Sequence, residues 1–269
     1  MKFSDKAIPM TRQGLGHALD ALDLGPSQAA ALWAVFEVET AGITQGFGFR
    51  FDKRPQILFE RHKFREFTGG KFNLSDHDIS GSQGGYGPLS QQYPKLERAL
   101  ALCAHAGLGV EPALKSASWG IGQVMGFNHQ TAGFATAQAM VEAMVKSEDA
   151  QLEAMAKFMA GNGLGKALKT QNWAAFARGY NGTNYAANQY DVKLEQQYAR
   201  FSTGSMPDLE VRTVQAAFLL LGYSVGKIDG VMGSRTRAAL KGFQIAQGLA
   251  VTGDLDSETY SKIYSKAFA

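Results

Sequence analysis

Residues 26–42 read Pro-Ser-Gln-Ala-Ala-Ala-Leu-Trp-Ala-Val-Phe-Glu-Val-Glu-Thr-Ala-Gly. Ser27, just after Pro26, is a natural N-cap, and the apolar residues after it cover almost the whole circumference of a helix. A helix apolar all round belongs in the middle of a domain, so 27–41 is predicted to be a buried central helix, stopped by Gly42. Its last turn carries Glu37 and Glu39. These lie about 200° apart around the axis, so only one can face a given cleft. A carboxyl at the C-terminal end of such a helix is pushed toward its protonated form, by burial and by the negative end of the helix dipole. That is the condition a general acid needs near neutral pH. A single helix-terminal Glu is more often an exposed surface group, so the assignment needs partners elsewhere in the chain.

The flanking sequence supplies a mainly helical setting. A helix is predicted over 11–22 ahead of the central one. Phe47, Phe49 and Phe51 alternate with Gly48 and Arg50, Asp52 to Pro55 reads as a turn, and 56–59 as a second strand, together a small β-hairpin. Residues 69–93, rich in Gly, Ser, Gln and Tyr, form a long loop of the kind that is usually functional or mobile. Helical patterns then run over 93–106, 110–116, 121–129, 135–147, 149–161, 163–170, 172–179 and 187–201. Ser-Thr-Gly-Ser-Met-Pro-Asp at 202–208 has linker composition. The roughly 60 residues beyond it suffice for a small module of their own.

With 269 residues, the chain has room for one large domain and one small one. An apolar share of 45% supports a packed core, and a mean hydropathy of −0.17 suits a soluble protein. A net charge of +3 without a dense Lys/Arg stripe argues against nucleic acid as a partner and is compatible with a polyanionic polymer. The N-terminus lacks the apolar stretch of a signal peptide, and no run is long enough to insert in a membrane. The expectation is therefore a protein folded in a cytoplasm. The single cysteine, Cys103, sits in an apolar helical stretch and reads as a buried inert thiol. His17, His62, His77, His105 and His129 have no metal-ligand spacing, so neither metal nor cofactor is expected.

Two further segments offer sugar-binding chemistry. Ser-Ala-Ser-Trp-Gly-Ile-Gly-Gln at 116–123 combines glycines, which allow close backbone approach, with the amide of Gln123, able to bond a hydroxyl and an acetamido group. Ala-Arg-Gly-Tyr-Asn-Gly at 177–182 ends a helix with Tyr180, able to stack on a sugar, and Asn181, able to orient an N-acetyl group or a water. Each alone is an ordinary loop. In this order, the Glu-Thr-Ala-Gly of 39–42, the Gly-Ile-Gly-Gln of 120–123 and the Tyr-Asn-Gly of 180–182 resemble the lysozyme-like superfamily of glycan-cleaving enzymes. That pattern favours Glu39 over Glu37 and leaves Glu37 a structural residue. Val-Met-Gly-Phe-Asn (124–128) and Pro-Gln-Ile-Leu-Phe-Glu-Arg-His-Lys-Phe (55–64) resemble a narrower set, the phage-type N-acetylmuramidases. The tail, with Val-Gln at 214–215, Ile-Asp-Gly-Val-Met-Gly at 228–233, Phe-Gln at 243–244 and Thr-Gly at 252–253, is similar to the three-helix peptidoglycan-binding domain and hints at two like helix–turn units.

The resemblance implies a mainly α fold. A lysozyme-like catalytic domain with a small β-hairpin would span 1–203, a linker 204–208, and a three-helix peptidoglycan-binding domain 209–269. Glu39 would be the acid. Glu60 would be the second carboxylate, stabilising the oxocarbenium-like state or positioning water, unless it is a structural ion-pair partner of Arg61; Asp52 and Asp191 stand in reserve. Gln123, Tyr180 and Asn181 would hold the sugar. His62 is either a hydrogen-bonder in the cleft or a packed helix-cap residue. Asp229, Gly230 and Thr236 match the wall-binding signature, though Asp and Gly make turns whatever the ligand. The implied reaction is hydrolysis of the β-1,4 bond between N-acetylmuramic acid and N-acetylglucosamine in bacterial peptidoglycan. A monomeric endolysin would be held in the host cytoplasm until a membrane hole opens. The rivals are a lytic transglycosylase forming 1,6-anhydro products and a non-catalytic wall-binding protein.

Overall fold

A computed structural model of the chain describes residues 1–40 and 46–269. The helices are α1 (Arg12–Ala21), α2 (Ala29–Thr40), α3 (Arg61–Phe67), α4 (Gln92–His105), α5 (Glu111–Lys115), α6 (Ala137–Met144), α7 (Glu148–Gly161), α8 (Leu164–Lys169), α9 (Trp173–Asn181), α10 (Tyr190–Thr203), α11 (Leu209–Leu220), α12 (Ser234–Gln247) and α13 (Ser257–Ala267). A three-stranded antiparallel sheet joins β1 (Ile57–Phe59), β2 (Ala117–Trp119) and β3 (Val124–Met125) in that order. The fold is thus mainly helical with one small sheet.

The central-helix expectation holds. Leu32, Trp33, Val35 and Phe36 of α2 are buried, and Trp33 meets Phe36 edge-on at 5.4 Å and Phe201 of α10 at 6.2 Å. Helix α10 is the element α2 packs on most extensively. The start of α2 differs in detail: Pro26–Gln28 form a 3-10 turn capped at Gly25, whose N–H donates to the Gln28 side chain at 2.8 Å, so Ser27 is not the cap. Gly42, read as the stop, lies outside the described residues.

Three expectations for the sheet region are overturned. The hairpin over 45–59 is reduced to a single bridge between Phe49 and Pro55, and β1 pairs instead with β2, in register Ile57 to Trp119 and Phe59 to Ala117. The alternation of phenylalanines has another cause. Phe47 and Phe49 are buried in a second core, while Phe51 is 67% exposed at a turn that Asp52 closes through Arg50 and Arg54. The helix over 121–129 is replaced by β3 and a 3-10 turn, Gly126–Asn128. Left-handed backbone at Gly120 (φ +69°) and Gln123 (φ +47°) makes a hairpin turn there and breaks any helix. The strand expected over 56–59 is present as β1, and Arg61 then opens α3.

Among the described residues, the core forms two clusters. The larger one surrounds α2 and includes Trp119, Met140, Met155 and Phe176. The smaller one joins Val214, Phe218, Leu240, Phe243 and Ile263 of α11–α13 to Ala7, Phe47 and Phe49 from the first part of the chain. The three tail helices therefore complete their core with residues outside the tail.

Candidate active site

Glu39 stands on the last turn of α2, partly exposed, with its carboxyl packed closely enough that burial raises its pKa to about 7. Asn181 opposes that shift by donating from Nδ2 to Glu39 Oε1 at 3.1 Å. Asn181 is the last residue of α9, which starts under an Asn172 cap and stops at Gly182 (φ +84°), so the helix end itself carries Asn181 to the carboxyl. The Asn181 Oδ1 atom is buried and has no hydrogen-bond partner.

Tyr180 precedes it. Its ring stacks on Phe176 at 5.4 Å and meets Phe158 edge-on at 5.6 Å, and its hydroxyl donates to the Gly122 carbonyl at 2.6 Å. Burial raises the Tyr180 phenol well above its ordinary range, and the charge of Glu39 adds to the rise. The phenol of Tyr190, first residue of α10, is likewise raised, by burial first and then by the charge of Glu39.

Gly122 belongs to the turn between β2 and β3. The Gln123 amide is occupied inside that turn: Nε2 donates to the Gly120 carbonyl at 2.8 Å, and Oε1 accepts from the Ser118 hydroxyl at 2.8 Å. Gln151 of α7 fixes the turn from below, accepting the Ile121 N–H at 2.8 Å. A Cβ on Gly120 would lie 2.6 Å from the Gln151 amide carbon, so only glycine fits. Gln123 therefore shapes the loop that meets Tyr180, and its sugar-binding groups are already engaged within the fold.

Glu60 sits between β1 and α3. Its N–H donates to the Ser116 carbonyl at 2.8 Å, tying it to the β2 side of the sheet. One carboxyl oxygen lies 3.1 Å from His62 Nδ1, without the alignment of a hydrogen bond, and both atoms are buried. Arg61 does not pair with Glu60. Its Nε donates to the Ser82 carbonyl at 2.7 Å and so pins the long 69–93 loop. From that loop, Tyr86 reaches the Glu60 carboxylate: burial raises its phenol, and the charge of Glu60 raises it further. A cavity of about 570 Å³ opens beside His62, lined by Arg65, Glu66, Asn73, Gly81 and Gln83 among others. Asp52, by contrast, is committed to Arg50 and Arg54. Asp191 sits next to Tyr190 at the start of α10.

The structure thus brings Glu39, Asn181, Tyr180 and the Gly122–Gln123 turn together by direct bonds. It also groups Glu60 with His62. Tyr86 and Tyr190 were not singled out from the sequence; the usable signal for Tyr86 was a lone aromatic inside Gly-Gly-Tyr-Gly-Pro at 84–88.

In the tail, Asp229, Gly230 and Thr236 converge on Gln215 of α11. The Gln215 amide donates to Asp229 Oδ1 (3.2 Å), the Val231 carbonyl (3.1 Å) and Thr236 Oγ1 (3.2 Å), and it accepts the Gly230 N–H at 2.9 Å. Thr236 is 2% exposed. These residues lock a turn to a helix through bonds within the fold. Gln244 of α12 repeats the pattern with Thr252, the Asp254 carbonyl, Thr259 and the Gly253 N–H. The two like units hinted at by Val-Gln and Phe-Gln are present.

Comparison with known proteins agrees with this architecture. Residues 28–202 match the N-acetylmuramidase family, and residues 207–263 match a putative peptidoglycan binding domain. A search of curated proteins gave no significant match. Among solved structures, the crystal structure of a Burkholderia AP3 phage endolysin is similar at 36% identity and a TM-score of 0.61, over 72% of this chain and 70% of that one. With the family match across most of the chain and a peptidoglycan-binding domain following it, the protein belongs to the N-acetylmuramidase family and is a peptidoglycan hydrolase.

Proposed function

We propose that the chain is an endolysin that cleaves the β-1,4 bond between N-acetylmuramic acid and N-acetylglucosamine with Glu39 as general acid. The observation that carries this is the Glu39 carboxyl, raised by burial to about 7 and held by Asn181. At neutral pH a large share of such carboxyls retains a proton to give to the glycosidic oxygen as the bond breaks. Asn181 steadies one carboxyl oxygen and leaves the other for the leaving group. The unpartnered Asn181 Oδ1 is an acceptor for the N–H of an acetamido group or for a water. Glu60, with Tyr86 and His62 about it, faces the oxocarbenium-like centre and completes the reaction with water. The cavity beside His62 offers room for sugars near Glu60.

In this reading 1–203 form the catalytic domain, 204–208 a linker and 209–269 the wall-binding domain. The AP3 phage protein is named an endolysin, which supports a phage lysis role, with release to the wall through a membrane hole. No helix among the described residues is long and apolar enough to cross a membrane. Digestion of purified peptidoglycan tests the chemistry. The parent should release reducing muramic acid ends, and Glu39→Gln should lose about 10²–10⁴-fold in rate. Products lighter by one water, with no reducing end, would replace hydrolysis by transglycosylation, and full activity in Glu39→Gln would remove the acid from Glu39.

A further inference from the structure

Arg212 belongs to α11 of the tail, yet its guanidinium is buried in the first part of the chain. Nη1 donates to Glu148 Oε2 at 2.6 Å, and Nη2 to Glu148 Oε1 at 2.8 Å and to the Gly46 carbonyl at 2.6 Å. Arg212 is 1% exposed and Glu148 0%. Glu148 also accepts the N–H of Met10 and of Gly48, each at 2.8 Å, so its carboxylate accepts four hydrogen bonds. On the other side of residues 41–45, the Lys227 ammonium pairs with Glu37, which Arg200 approaches at 3.9 Å. Gly46 itself lies so close to the Ile228 carbonyl that a Cβ there would be 2.4 Å away. Phe47 and Phe49 then enter the core of the tail.

We propose that the wall-binding domain positions the catalytic acid, with Arg212 and Lys227 as positioning residues that hold the chain on both sides of residues 41–45. Lys227 grips α2 two residues before Glu39, and Arg212 grips the chain at Gly46. A domain that only tethers the enzyme to its substrate needs a linker of suitable length and no contact with the catalytic part. Here the tail contributes a buried, bidentate ion pair and shares its core with residues 47 and 49. Desolvating two charges is unfavourable unless they are closely paired, and here both Nη atoms and both carboxylate oxygens are bonded while Arg212 Nε is buried without a partner, so displacing the pair would be costly. The sequence reading of Glu37 as structural fits: its carboxylate faces the tail, and that of Glu39 faces Asn181. The proposal rests on Glu39 being the acid.

The test uses full-length variants and two substrates. Short soluble glycan fragments of peptidoglycan gain nothing from anchoring, whereas insoluble walls do. On the soluble fragments, Lys227→Met should lower kcat about threefold or more with KM unchanged, and Lys227→Arg should restore it. Arg212→Met should lower kcat about tenfold or more, because small displacements of a catalytic group have large effects. Sedimentation with insoluble peptidoglycan should stay at the parental level for the Lys227 variants. A parental kcat for Lys227→Met on soluble fragments would overturn the proposal and leave the tail as a tether. Should Arg212→Met fail to fold, Lys227→Met decides alone, since that side chain is 43% exposed and its loss leaves the buried pair intact. Failure of the acid assignment would be seen separately, as activity surviving in Glu39→Gln.

Discussion

Glu39 carries a proton into the pH range where most carboxyls have lost theirs, and this has two measurable consequences. Cleavage should decline as pH rises through about 7, because ionised Glu39 has no proton to give. Stability should carry the same signature. The folded pKa lies above the unfolded value of 4.5, so between pH 4.5 and 7 the native state holds a proton that the unfolded chain releases. Stability from this group therefore falls as pH rises across that window. Glu39→Gln removes the penalty, and its Tm should gain on the parent from pH 4.5 to 7 and level off above. A constant gap in thermal melts over that range would contradict the raised value. Glu39 and Asn181 could be singled out in the sequence because each ends a helix in a conspicuous local motif, but the bond between them could not. Tyr190 and Tyr86 were not singled out, because nothing local distinguishes an aromatic that reaches a carboxylate from one that fills a core. Their effect on the carboxylates arises only after α2 and α10 pack and after Arg61 pins the 69–93 loop.

The β2–β3 hairpin shows how an element can be decisive and still misread. Its glycines signalled close approach, and the structure puts that approach against Gln151 and the Tyr180 hydroxyl. Gly120→Ala should destabilise the protein by about 1–3 kcal/mol, since alanine strains the left-handed backbone and its Cβ meets the Gln151 side chain. Denaturant melts measure this, and kcat should fall alongside because the turn supplies the Gly122 carbonyl to Tyr180. Unchanged stability would mean that the turn relaxes without penalty. The helix expected over 121–129 failed because an apolar run is equally compatible with a short strand. The strand partner of β2 lies sixty residues earlier in the chain, beyond any local pattern. The period-two phenylalanines failed for a related reason: alternation records which side chains are buried and says nothing about which core receives them.

Helical content was readable from periodicity, because that depends on neighbours a few residues apart, and the three-helix tail was readable from its resemblance to the peptidoglycan-binding domain. The union of the tail with the rest was not readable, since Arg212 and Glu148 carry no mark of each other. A shared core and a buried ion pair predict that the two parts unfold together. Calorimetry of the full chain should give one transition with matching calorimetric and van't Hoff enthalpies, and two resolved peaks would show that the seam is weak. The tail also contains its own repetition. Gln215 and Gln244 each bind a glycine N–H and the hydroxyl of a threonine six residues after that glycine. Each unit is closed by its own glutamine, and the two overlap in α12, which carries both Thr236 and Gln244. The molecule thus carries, beside its enzyme, a small piece of modular masonry: one course bonded to the catalytic body through Arg212, and a second laid on the first by the same joint.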